Sequence, residues 1–316
     1  MQNFQVTDSP LVTVIIPVYN TRRFISESLS SITSQSMREI EVLCIDDAST
    51  DGSLELLREI ADQDERVKVF SLDRNSGPGA VRNFGLNRAT GRYVYFFDSD
   101  DLLEIEALQK LVDQAEAENL DAVFFNAEPF IDQSAVDALS VERYQRQYRR
   151  SHSYASGLPG VAMFVEMSAH GEWMPSPCLY ILCRSFLEHH RLRFTEGVLH
   201  EDNGFTARMM LAAPRTGYDE SPFFKRRIRK GSVTTGELTS HHLVGLVTAI
   251  AELVSASRTT DRQVPETAAA IHRQADALFQ DAVQKVRRLA AHQQQIFREW
   301  CLVDSFGSAD VTIGNR

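Results

Sequence analysis

Two short apolar runs, each followed at once by polar or acidic residues, constrain this chain more than any other feature. Residues 11–18, LVTVIIPV, form a β-branched run that leads into Tyr19 and Asn20, and residues 40–45, IEVLCI, form a second that leads into Asp46 and Asp47. Runs of this kind are the mark of strands buried on both faces, since neither face needs polar side chains. Between them Phe24, Ile25, Leu29 and Ile32 recur at helical spacing, which predicts a β-α-β unit. The pattern continues with a helix over 53–63, a strand over 67–72, a helix over 78–89 and a strand over 92–97. A helix over 104–118 and a strand over 121–127 follow. Such alternation predicts an α/β chain built on a mostly parallel sheet with helices on both faces.

Beyond this point the signal changes character. Residues 128–175 are less regular and hold Arg143, Arg146, Arg149 and Arg150, then a Gly/Pro loop around 157–160. Residues 203–212 read as a helix. From about 240 the chain reads as wholly helical, with Ile271, Ala275, Leu278, Phe279, Val283, Val286 and Leu289 on one face of a long segment over 266–300. A boundary is expected near 236, with the last dozen residues a frayed tail. The length of 316 residues, 43% of them hydrophobic, suits roughly two domain-equivalents with a sizeable core. No apolar run approaches the ~18 residues of a membrane span. A formal charge of −10 argues against nucleic acid as a partner, because counterion replacement on phosphates needs clustered cations. The four cysteines, Cys44, Cys178, Cys183 and Cys301, form no C-x-x-C pair, which fits a reducing compartment. The start of the sequence lacks the cationic region of a signal peptide, so a cytoplasmic protein is expected.

In open α/β sheets, ligands bind beyond the carboxyl ends of the strands. Here those ends are acidic: Asp46, Asp47 and Asp51 follow the second strand, and Asp98, Asp100 and Asp101 follow the fourth. Carboxylates brought together raise one another's pKa unless a cation or hydrogen-bond donors neutralise them. Hard oxygen ligands suit Mg²⁺ or Mn²⁺. Capping of turns and helices is the alternative reading of Asp46, Asp47 and Asp51. Several familiar sites fail on spacing. A calcium loop begun at Asp47 has Arg58 where a bidentate Glu is required, and one begun at Asp98 has Leu103 at the glycine position. The glycines at 77, 79 and 85 do not make G-x-G-x-x-G, no phosphate-binding G-x-x-x-x-G-K-[ST] occurs, and His200-Glu201-Asp202 lacks the second histidine of a zincin.

Taken together, V-x-V-I-I-P-V-Y-N at 12–20, I-D-D-A-S-T-D-G at 45–52, N-S-G-P-G-A-V-R-N-F-G at 75–85, Y-F-F-D-S-D-D at 95–101 and Glu201-Asp202 resemble the motifs of family 2 glycosyltransferases, in order, over roughly residues 11–235. The resemblance implies a GT-A fold with a nucleotide-binding half over about 11–101 and an acceptor half over about 102–235, followed by a helical extension over 236–316. It implies inverting, metal-dependent transfer of a sugar from a nucleotide-sugar, with UDP the expected nucleotide, to a glycan or lipid-linked saccharide in cell-surface polysaccharide synthesis. Tyr19 and Asp46 match base-binding positions, with Pro17 fixing the turn and Asn20 satisfying loop backbone. Asp47, Asn75, Gly77, Arg82, Ser99 and Arg229 are assigned to the nucleotide-sugar, and Asp98 and Asp100 to nucleotide and metal (Mn²⁺ or Mg²⁺).

Breaking a glycosyl phosphate bond leaves charge on a diphosphate, so cations must face it. Inversion needs a base on the opposite side to take the acceptor proton. Asp202 is the candidate base, with Glu201 and Trp173 on the acceptor side. Each has a structural alternative: Asp202 as a helix cap, Arg82 as an ion-pair partner of Asp98 or Asp101, Trp173 as a core residue. The basic segment Lys225-Arg226-Arg227-Ile228-Arg229-Lys230 reads as a strand with one side toward the site, or as a solvated or membrane-facing strand. The family's further histidine ligand has no counterpart between His200 and His241. Charged faces on the C-terminal helices, Arg287 and Arg288 among them, suit either peripheral contact with the inner face of a membrane or a homodimer. A nucleotidyltransferase is the second reading, and it lacks a Lys-bearing Gly-rich loop after the first strand. A non-catalytic binding or scaffold module is the third.

Overall fold

The computed structural model describes residues 9–132, 148–229, 238–259 and 265–303. Its first half follows the predicted alternation: β1 (Val12–Val18), α1 (Arg22–Thr33), β2 (Ile40–Asp46), α2 (Ser53–Ala61), β3 (Val67–Ser71), α3 (Gly77–Leu86) and β4 (Tyr93–Phe96). Every residue of β2 is buried, as is all of β1 except Pro17, which accounts for their largely apolar character. The short β5 (Leu102–Leu103), α4 (Ala107–Glu118), β6 (Ala122–Phe124) and β7 (Ala127–Ile131) come next. Then follow α5 (Gly160–His170), β8 (Tyr180–Cys183), α6 (Arg184–His189), α7 (Glu201–Ala212), β9 (Thr216–Tyr218) and β10 (Phe224–Ile228). The chain closes with α8 (Ser240–Thr259), α9 (Pro265–Arg288) and α10 (Ala291–Val303).

The main sheet has seven strands in the order β3-β2-β1-β4-β8-β6-β9. All its pairings are parallel except those of β8, which runs against both β4 and β6. A second sheet of three strands, β5-β10-β7, stands beside it. One large core packs β1, β2 and β4 against α1 and α4, and another fills the opposite face around Phe96, Phe194, Phe205 and Tyr180. The C-terminal helices share that second core, since Leu253 of α8 and Ile271 and Ala275 of α9 belong to it.

Several sequence expectations shift in detail. The apolar stretch over 121–127 divides into β6 and the start of β7, so it serves both sheets. The long helical segment over 266–300 breaks at Leu289 and Ala290, its Phe279 is exposed rather than on the packed face, and α7 begins at Glu201 rather than at residue 203. The irregular stretch over 128–175 contains α5, and residues 133–147 of it, with Arg143 and Arg146, lie outside the described residues.

A buried polar knot fixes the N-terminal ends of the strands. The Glu41 carboxylate, 4% exposed, accepts from Thr13 Oγ1 (2.6 Å), from Thr90 N and Oγ1 (2.7 Å each) and from Lys68 Nζ (2.9 Å). Burial alone would raise its pKa, but these donors outweigh burial and hold it at about 2. A folded pKa below the unfolded one means stability that is full above about pH 4.5 and lost as the pH falls toward 2. Glu41→Gln is therefore expected to lose about 2–3 kcal/mol at pH 7, and to flatten the acid limb of a stability–pH curve from chemical denaturation. An unchanged acid limb would place the acid sensitivity elsewhere.

Candidate functional site

In the strand order 3-2-1-4 the order of strand addition reverses between the parallel strands β1 and β4, and a crevice is expected where the carboxyl ends of those two strands part. Pro17 contributes to the parting. The β1–β4 pairing ends at Ile15 opposite Phe96, while β1–β2 pairing continues through Pro17 and Val18. Proline offers no N–H, so the side facing β4 has no ladder bond to lose.

On the β1–β2 side of the crevice Tyr19 is 49% exposed, and Asn20 is left-handed with φ 53°. Asn20 Oδ1 accepts from Thr50 N (2.8 Å), and its own N–H donates to Ser49 Oγ (3.0 Å). Asp46 is 1% exposed; Oδ2 accepts from Ser49 N (3.1 Å), whereas Oδ1 is buried with no partner among the described residues. An unpartnered buried carboxylate oxygen is costly and marks a place for an incoming donor. Asp47 is committed to the fold: its two oxygens accept from Ser76 N (2.7 Å) and Gly77 N (2.9 Å) and so hold the start of α3. Gly77 has φ 81°, and Asn75 is exposed beside it.

The loop after β4 gathers charge of both signs. Asp98 accepts from Arg82 Nη2 (3.1 Å) and Arg226 Nη1 (2.8 Å). Buried Asp101 accepts from the same Arg226 nitrogen (3.0 Å) and from Arg227 N (2.6 Å). Asp100 Oδ2 accepts from Arg229 Nε (2.6 Å). Ser99 is buried and bonded to Thr21 Oγ1 (3.0 Å). Burial would raise the Asp98 carboxyl, but the guanidiniums of Arg82 and Arg226 outweigh it and hold its pKa below the usual range. β10 supplies Arg226 and Arg227, and the residue after it Arg229, because its pairing with β5 and β7 lays it next to the loop, while Arg82 comes from α3. Sequence reading singled out Arg229 and passed over Arg226 and Arg227. Arg227 packs over Phe24 and Phe130 and donates to Glu27 (2.6 Å) and to the Asp100 carbonyl (2.7 Å). The available signal was five cations in six residues; Lys230, the last of them, lies outside the described residues.

Among the described residues no three His, Cys, Asp or Glu side chains are grouped to hold a metal ion. The donor set nonetheless fits Mg²⁺ or Mn²⁺ bound with a substrate, because such ions commonly take one or two carboxylates and complete their shell with phosphate oxygens and water. Asp98 and Asp100 offer those two carboxylates.

Arg82 joins this cluster to the predicted acceptor side. It is 6% exposed, and its second nitrogen, Nη1, donates to Glu201 (2.5 Å) at the start of α7. Asp202 follows, with Oδ1 accepting from the backbone and side-chain nitrogens of Asn203 (2.9 and 3.0 Å). Burial first, and then the charge of Glu201, push the Asp202 carboxyl up to about 7, with Arg82 opposing. Trp173 packs edge-on to Phe164 (5.5 Å between ring centroids), and its indole N–H is buried with no partner among the described residues. Two residues on, the Pro175 carbonyl accepts from Thr206 Oγ1 of α7 (2.7 Å). The arrangement thus offers a donor-free carboxylate oxygen, a set of paired arginines and carboxylates, and a carboxyl group poised near neutrality.

The model of glycosyl transferase family 2 matches residues 13–169. Among curated relatives, the succinoglycan biosynthesis protein ExoO of Rhizobium meliloti (strain 1021) is 31% identical over 235 residues, 71% of this chain and 63% of the relative. The glycosyltransferase GlyA of Streptococcus pneumoniae serotype 4 is 30% identical over 249 residues, 77% of this chain and 34% of the relative. The chain thus spans between 34% and 63% of the length of these two. Among solved structures, S. aureus TarS 1–349 in complex with UDP-GlcNAc aligns with a TM-score of 0.65 at 20% identity, over 91% of this chain and 78% of that one. The mannosyltransferase PcManGT from Pyrobaculum calidifontis, in complex with GDP-Man and Mn²⁺, aligns with a TM-score of 0.58 at 18% identity, over 95% of this chain and 81% of that one.

Proposed function

As this chain belongs to glycosyl transferase family 2, we propose that it is an inverting glycosyltransferase that moves a sugar from a UDP-sugar to a hydroxyl of a glycan or lipid-linked saccharide, in polysaccharide synthesis. The observation that carries the reading is Arg82. One guanidinium contacts Asp98 of the loop after β4 and Glu201 beside Asp202, which brings the donor-side and acceptor-side acids to one place.

In this reading Tyr19 covers one face of the base and Asp46 Oδ1 accepts its N–H, while Asn20, Asp47, Asn75, Gly77 and Ser99 shape the loops that enclose the nucleotide. A divalent ion held by Asp98 and Asp100 would supply positive charge to the departing diphosphate. Arg82, Arg226 and Arg229 neutralise the carboxylates of the free protein and lie where a diphosphate would meet them. Asp202 removes the proton of the acceptor hydroxyl from the side opposite the leaving group, and Glu201 and Trp173 orient the acceptor. An elevated pKa suits this base, since a carboxylate of ordinary acidity is a weak proton acceptor at neutral pH.

The sugar-nucleotide preference is tested by thermal shift with UDP, UDP-GlcNAc, GDP and GDP-Man, each with and without Mn²⁺. UDP and UDP-GlcNAc are expected to raise Tm by several degrees at saturation, because a ligand at 100 times its Kd contributes about 2.7 kcal/mol to the folded state. Mn²⁺ is expected to enlarge the shift, and Asp46→Ala to erase the preference for uridine over guanosine nucleotides. A panel with no response to UDP would overturn the donor assignment.

A further inference from the structure

The acids on α7 are held from two sides, and one side belongs to the C-terminal helices. His200, which precedes Glu201, is left-handed with φ 62°, a conformation that a non-glycine residue keeps only where its surroundings impose it. On the donor side, Asn83 of α3 fixes the approach to this turn: its Nδ2 donates to the Phe194 carbonyl (2.9 Å), and its Oδ1 accepts from Phe194 N (2.9 Å). On the other side α8 comes into backbone contact. A Cβ on Gly245 of α8 would lie 1.9 Å from the Leu199 carbonyl oxygen, so the helix reaches the turn only because this residue has no side chain. Seven residues along α8, the carboxylate of Glu252 bonds Arg208 of α7 (2.7 Å) and accepts from Thr195 Oγ1. Its path runs over Gly204, where a Cβ would meet it at 1.3 Å. The His200 ring sits 6.1 Å from that of His242, also on α8.

We infer that α8 is part of the catalytic apparatus: Gly245 and Glu252 are positioning residues that set where Glu201 and Asp202 stand relative to the donor site. The inference rests on the reading of Asp202 as the base. A side chain at 245 must move either α8 or the Leu199 backbone, and Leu199 is three residues from Asp202. Displacements of about 1 Å at a reacting group can cost on the order of 10²-fold in rate.

The test uses the full chain carrying Gly245→Ala, with Glu252→Gln as a second variant that leaves the backbone contact intact. UDP release from UDP-GlcNAc, with water as acceptor and Mn²⁺ present, is measured per UDP site counted by calorimetry, alongside amide hydrogen exchange. Gly245→Ala is expected to lower kcat about 100-fold while KM for UDP-GlcNAc stays within about twofold. Exchange over 199–204 should quicken at least roughly tenfold with that of α3 unchanged. Glu252→Gln should show the same split with a smaller loss, about tenfold. Wild-type kcat in both variants, or a parallel loss of UDP affinity with faster exchange in α3 and β1, would overturn the inference. If the wild-type protein neither binds UDP nor releases it, the donor reading fails instead, and the exchange pattern alone decides whether α8 holds the turn.

Discussion

Asp202→Asn is expected to lower sugar transfer by about 10²–10⁴-fold, the usual contribution of a positioned base, with UDP affinity within about twofold of wild type. Two further signatures separate this outcome from a folding defect. With Asp202 titrating at about 7, wild-type kcat/KM should fall about tenfold per pH unit below neutrality, and the residual activity of the variant should lack that limb. The second signature is stability. The folded pKa of Asp202 lies above its unfolded value of 3.8, so the folded state binds the extra proton between those values and loses stability as the pH rises through them. Asparagine does not ionise. The variant should therefore be more stable than wild type at pH 8, by on the order of 4 kcal/mol, and nearly equal to it near pH 4. Transfer at the wild-type rate, or a variant less stable at pH 8, would remove Asp202 from the role of base.

The second large effect is at Arg82. Arg82→Ala leaves Glu201, 6% exposed, without its cation and removes one of the two guanidiniums on Asp98. Removing one partner of a buried ion pair typically costs about 3–5 kcal/mol, because the remaining charge is stranded. For a chain of this length that corresponds to a fall in Tm of roughly 10 °C. The paired change Arg82→Met with Glu201→Gln removes both charges and should recover most of the stability without recovering transfer. A single Arg82→Ala variant within 1 kcal/mol of wild type would show that the bridge is worth no more than a surface pair.

The first half of the fold was legible in the sequence because its signals are local. β1 and β2 are buried on both faces and so are apolar apart from Thr13, Glu41 and Asp46, and the turns that follow carry side chains whose partners lie in adjacent loops, as with Asn20 and Thr50. The second half depends on contacts remote in sequence. β8 is four residues long and runs antiparallel between two strands that otherwise point the same way, a placement that nothing within Tyr180–Cys183 encodes. Helix α5, GVAMFVEMSAH, is apolar over most of its circumference because α7 and α9 pack around it, so no amphipathic stripe announces it. The acids of the site were legible as residues that follow apolar runs. Their partners were not: Arg226 reaches Asp98 across 128 positions, and charge spacing along β10 cannot tell which of its arginines bends toward the loop. The glycines at 204 and 245 gave no sign of their contact, since a missing side chain leaves no pattern of its own.

The polar knot at Glu41 has a consequence for how such a molecule can diversify. It ties Thr13, Lys68 and Thr90 together at the ends of the strands that lie farthest along the chain from the crevice loops. With that edge pinned, lengthening or exchanging the loops after β1, β2 and β4 cannot slide one strand past another, because slippage would strand a buried carboxylate. The crevice loops can thus be traded among chains of this architecture while the scaffold keeps its register, and, on the proposed donor reading, grafting the loop at 19–21 or 73–77 from a guanosine-preferring relative is expected to yield a folded protein whose nucleotide preference has changed.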